Sequence, residues 1–122
     1  MKKILFLFIL FVSCTNSNIE SVVINKLGSP TNEKTFNGNQ KVTTWTNVEL
    51  GKKTEIKNSV DKALNALPVK SVEFEPAMDS IGNVLPGELT SYYKYESPTT
   101  ETELDFNYKG NNMTVILFIT KK

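Results

Sequence analysis

The chain has 122 residues, with 14 lysines against 13 acidic residues, a formal charge of +1, no arginine and no histidine. A near-neutral balance carried by lysine alone argues against nucleic-acid binding, which draws on a basic field and on arginine's bidentate contacts to phosphate and base. The absence of histidine and the presence of one cysteine, Cys14, remove the commonest general base, most zinc sites and any internal disulfide.

The first element is a leader. Met1, Lys2 and Lys3 make a basic start, Ile4 to Val12 are all apolar, and Ser13 is a small residue ahead of Cys14, which is the layout of a secretory signal peptide. The apolar run is less than half of the roughly 20 residues that span a bilayer, so residues 1–13 are expected to be removed. Phe11-Val12-Ser13-Cys14 resembles the lipobox of bacterial lipoproteins, with Phe11 where Leu is usual. The resemblance implies that acyl chains, palmitate among them, are attached to Cys14. Two or more chains give stable anchoring, each buried methylene contributing about 0.8 kcal/mol. Thr15, in place of an aspartate, resembles the default for sorting to the outer membrane. The expected address is therefore the cell envelope, at the outer membrane facing the periplasm. Without Lys2 and Lys3 the mature chain carries a formal charge of −1.

Thr15 to Asn18 read as a short polar tether of a lipidated segment, residues 14–18, and residues 19–122 as a single domain. Ile19 to Leu27 has helical spacing at Ile19, Val22, Val23 and Leu27, with Asn18 as cap and Gly28 and Pro30 as the stop. Lys34 to Phe36 and Lys41 to Asn47 flank Asn37-Gly38-Asn39, which predicts a β-hairpin. Alternation puts Thr43 and Trp45 on one face, the indole inward, and Val42, Thr44 and Thr46 on the other.

A second helix is predicted over Lys57 to Leu67, capped by Asn58 or Ser59, with Val60, Ala63, Leu64 and Leu67 on one face and Pro68 beyond it. Glu55-Ile56 reads as the close of a short strand. Val69 to Glu75 alternates, which places Glu73 and Glu75 together on one face, and Pro76 is expected to end the strand. Met78 to Glu88, with Gly82, Pro86 and Gly87, reads as an exposed loop. Strands follow at Thr90 to Glu96, Thr102 to Lys109 and Asn112 to Thr120, the last apolar on both faces, which predicts a central strand buried on both sides. The sum is an α+β fold, two short helices packed on an antiparallel sheet of about five or six strands.

Paired carboxylates are the only catalytic candidates. Glu73 with Glu75, and Glu101, Glu103 and Asp105, have spacings that could suit a glycosidase or calcium, but the reading preferred for both sets is the charged, wet outer face of an antiparallel sheet. The fragment Asp79-Ser80-Ile81 resembles the acceptor of a periplasmic O-glycosylation system, which makes Ser80 a candidate modification site. Trp45, Tyr92, Tyr93 and Tyr95 are candidates for a binding surface. No catalytic residue, metal ligand or cofactor is indicated.

Leu27-Gly28-Ser29-Pro30 after a short helix, followed by strands bearing Trp45, resembles the small SmpA/OmlA-like outer-membrane lipoproteins of the β-barrel assembly machinery. The resemblance covers about residues 14–47 and implies an envelope protein partner. It departs from that family in placing the second helix after a hairpin, and no partner-binding residue carries over. The functional expectation is a non-catalytic envelope lipoprotein, held to the membrane by its lipid, that binds a protein, lipid or glycan. A small carboxylate-dependent hydrolase of the periplasm is the alternative.

Overall fold

The computed structural model describes residues 15–122. Helix α1 spans Thr15–Leu27, strands β1 Asn32–Phe36 and β2 Gln40–Glu49 form a hairpin, and a 3-10 turn at Leu50–Lys52 leads into helix α2, Lys53–Leu64. Strands β3 Lys70–Met78, β4 Val84–Glu96, β5 Thr100–Lys109 and β6 Asn112–Lys121 complete one sheet of order β1-β2-β6-β5-β4-β3. Every neighbouring pair is antiparallel. The expected α+β architecture is therefore present, with six strands.

Helix α2 carries the chain from β2 to the far edge of the sheet, and the meander β3 to β6 returns it to the side of β2. Both helices lie on one face. Ile19 and Val23 of α1 and Ile56 and Val60 of α2, each pair four residues apart, are buried against Trp45, Tyr93, Tyr95, Leu104, Phe106, Val115 and Leu117, because residues four apart share one side of a helix. Alternation decides the sheet's contribution: from Met113 to Thr120, odd-numbered residues of β6 are buried and even-numbered ones half-buried. β6 is central, as its composition predicts, but only one of its faces is fully covered. Among the described residues no layer covers the other face.

Several boundaries differ from expectation for physical reasons. α1 already includes Thr15, so the residues read as a tether are helical among the described residues. α2 begins at Lys53 with no side-chain cap, takes in Glu55-Ile56, which form no strand, and ends where Asn65 adopts φ +51°. Leu67 then lies outside it and is exposed. Pro76 sits inside β3, tolerated because β3 is an edge strand where a missing N–H breaks no ladder. The predicted loop over Met78 to Glu88 reduces to a turn between β3 and β4, because Val84 to Glu88 continue β4.

β3 also holds a bulge. Val72 pairs with Tyr92 and Glu75 with Thr90, so Glu73 and Phe74 together occupy the place opposite Ser91. Phe74 has φ +51°, its N–H donates to Ser91 Oγ at 3.0 Å, and its ring packs on Tyr108. Alternation from Val72 leaves Glu73 on the helix side, where it meets Lys53 of α2, and the extra residue sends Glu75 to the uncovered side. The predicted pairing of Glu73 with Glu75 on one face is thereby corrected.

Candidate functional site

The uncovered face is built by cross-strand register. One row runs Thr44, Ile116, Asp105, Tyr92, Val72, and the next Val42, Phe118, Glu103, Lys94, Lys70. Val42 of β2, Ile116 and Phe118 of β6 and Tyr92 of β4 are half-buried, apolar positions on three strands that Asp105 and Glu103 of β5 interrupt. Lys94 Nζ lies 3.8 Å from Glu103, and both Lys94 and Lys70 sit 5.8 Å from the Tyr92 ring centroid. A shallow depression of about 350 Å³ opens at one end of the face, lined by Gln40, Lys94, Glu96, Glu101, Glu103 and Phe118.

Asp105 is the chemical centre of this face. It stands between Ile116 and Tyr92, and its Oδ1 is buried. Burial first, then a side-chain hydrogen bond with Glu103 and the charge of that neighbour, push its carboxyl up to about 8, opposed in part by Lys94. The carboxyl therefore holds its proton at neutral pH, where Glu103 is its hydrogen-bond partner.

The four aromatic residues expected to form a binding surface are not brought together as one. Trp45, Tyr93 and Tyr95 are 2–3% exposed, because alternation points all three toward the helices. Trp45 Nε1 donates to the Gly28 carbonyl at 3.0 Å. Tyr95 donates to Asp61 Oδ1 at 2.5 Å, and burial raises its phenol far above the ordinary range. Tyr93 donates to Glu73, which also pairs with Lys53. These groups fasten α2 to the sheet. Tyr92, of opposite parity, is the one ring of the four on the uncovered face.

Ser80 is exposed in the turn at Asp79–Asn83. Asp79 Oδ1 accepts the N–H groups of Asn83 at 2.9 Å and Ile81 at 3.0 Å, and these bonds, that from Asn83 foremost, hold its carboxyl below the usual range. Met78, Ile81 and Val84 around the turn are strongly exposed. Cys14 and residues 1–13 lie outside the described residues. Among the described residues no three potential ligands gather closely enough to hold a metal, and no helix is long and apolar enough to cross a membrane.

Sequence reasoning placed Glu101, Glu103 and Asp105 on one face but gave them one common role as a wet, charged ladder. It missed that Asp105 Oδ1 is buried. The signal lies in other strands, since Ile116 and Tyr92 become its neighbours only once register is set. Comparison with protein-family profiles, with curated proteins and with solved structures found no match for this chain.

Proposed function

We propose that the protein is a non-catalytic lipoprotein of the cell envelope that binds a partner through the uncovered face of its sheet. The observation that carries this reading is the apolar group of Val42, Ile116 and Phe118, with Tyr92 beyond Asp105, on a face without a covering layer among the described residues. Half-buried apolar side chains on a sheet gain by further burial, at roughly 25 cal/mol per Å², and exposed apolar groups rimmed by polar residues mark interaction sites. The address rests on the basic start, apolar run and Ser13-Cys14 of the leader, which support lipid anchoring facing the periplasm. The likeness of residues 14–47 to SmpA/OmlA-like lipoproteins supports an envelope setting and says nothing of the partner.

A carboxylate-dependent hydrolase would need two acidic groups about 5–9 Å apart across a scissile bond. Glu73 and Glu75 face opposite sides, and Glu103 and Asp105 lie on a shallow surface, which favours binding. The test is affinity purification from detergent-solubilised envelopes with the native chain and a Phe118→Glu variant. The expected result is a reproducible partner with the native chain that is lost with the variant, at unchanged circular dichroism. A partner retained by Phe118→Glu would refute the role of this face.

A further inference from the structure

We propose that the occupant of the uncovered face is a second copy of this chain, set face to face about a two-fold axis that runs along the strands midway between β2 and β6. The inference rests on the reading of this face as the binding surface and names the partner. About that axis β2 lies over β6 of the other copy and β1 over its β5, because these four strands are neighbours in the order β1-β2-β6-β5 and a two-fold contact uses the same patch on both copies. One row of the face reads Lys34, Val42, Phe118, Glu103. Val42 then meets Phe118 of the other copy and Lys34 meets its Glu103, each contact being made twice. In the next row Asn32 meets Asp105 and Thr44 meets Ile116. Lys34 makes no ion pair of its own among the described residues, and Glu103 has Lys94 at 3.8 Å.

The charge and apolar pattern selects this axis over its neighbours. An axis along β6 would set Lys34 against Lys94, one midway between β6 and β5 would set Lys34 against Lys70, and one along β5 would set Glu103 against itself. An axis across the strands lays each strand over its own copy. Near Phe118 and Ile116 it brings Glu103 and Asp105 of the two copies together, and one step further it sets Phe118 against Asn112. Juxtaposed like charges and apolar groups set on amides both oppose association. Aligned sheets pack with their strands about 30° apart. Lys34 and Glu103 stand about 7 Å from the axis, so this angle offsets them by about 4 Å, within reach of two long side chains. The four overlaid strands, about 4.8 Å apart and up to about 33 Å long, cover roughly 600 Å² per copy, against about 800 Å² in a standard interface. The dimer is therefore of the weak, exchanging class.

The experiment is sedimentation equilibrium of the full chain in density-matched detergent, over a concentration range of about a hundredfold. The expected result is a monomer–dimer equilibrium for the native chain and a monomer for Phe118→Glu, at unchanged circular dichroism. Lys34→Glu, an exposed substitution, should weaken the dimer about tenfold through its two ion pairs, and adding Glu103→Lys should restore it by reversing both charges. A native chain that stays monomeric, a dimer unaffected by Phe118→Glu, or a charge-reversed double variant no tighter than Lys34→Glu would each overturn the proposal. If the native chain is monomeric while Phe118→Glu still removes the envelope partner, the second copy falls and the binding face stands. If Phe118→Glu leaves both dimer and envelope partner in place, the face itself falls.

Discussion

The indole N–H of Trp45 donates to the main-chain carbonyl of Gly28 across 3.0 Å, which ties the end of α1 to the second strand. Gly28 ends the helix with φ +84° and returns its own N–H to Ile24. A sequence motif at a helix end and a tryptophan 17 residues later are therefore one structural unit.

Trp45→Phe removes this bond and some core volume without touching the uncovered face. We expect a loss of about 1–3 kcal/mol in chemical denaturation, with partner binding unchanged in the fraction that is folded. Gly28→Ala has open space for its Cβ, so its cost is that of left-handed backbone alone, about 1–2 kcal/mol.

Asp105 predicts an unusual pH dependence. In the unfolded chain its carboxyl ionises at about pH 4, whereas in the fold burial holds the proton to about 8. Between those values the unfolded chain binds fewer protons than the folded one, so this group's contribution to stability falls as pH rises through the window and levels off above it. Asp105→Asn should match the native chain at pH 4 and exceed it by about 1–3 kcal/mol at pH 8.5. Denaturation midpoints of both proteins at pH 4, 6 and 8.5 measure the difference. Parallel curves across the range would contradict the buried carboxyl.

Ser80 is accessible in a turn held by Asp79. If it carries a glycan, intact-mass measurement of the native protein shows an added mass that Ser80→Ala abolishes. An unmodified native chain removes Ser80 from consideration. Asp79→Ala should speed amide exchange at Ile81 and Asn83 and leave the rest of the sheet protected.

Cys14→Ala should convert the protein from a membrane-associated to a soluble form on envelope fractionation, and the native chain should carry a mass consistent with acyl chains. Identical fractionation of the two would refute lipid anchoring.

The hairpin at Asn37-Gly38, the alternation of β2, β5 and β6, and the apolar spacing of both helices were legible in the sequence, because periodicity and turn chemistry act over a few residues. The start of α2 was not, since no side chain caps Lys53 and the helix grows from a preceding 3-10 turn. The bulge at Glu73-Phe74 was hidden because a phenylalanine at positive φ has no signature in composition; Ser91, on the next strand, is what receives its N–H. Asp105 belongs to the same class. Its spacing with Glu103 predicted a shared face, but the burial of its Oδ1 depends on neighbours supplied by β4 and β6.

β4 has 13 residues against 10 in β5. Its last residue, Glu96, lies in the row of Glu101, Thr120 and Gln40, beside the ion pair of Lys41 with Glu20 of α1. Its first residue, Val84, adjoins the Ser80 turn at the opposite pole. At about 3.3 Å per residue the strand spans roughly 40 Å, more than the hydrocarbon thickness of a bilayer, about 30 Å. β4 therefore holds the Ser80 turn and the Glu96 row a full strand's length apart, so a small ligand at one pole of the sheet cannot also touch the other.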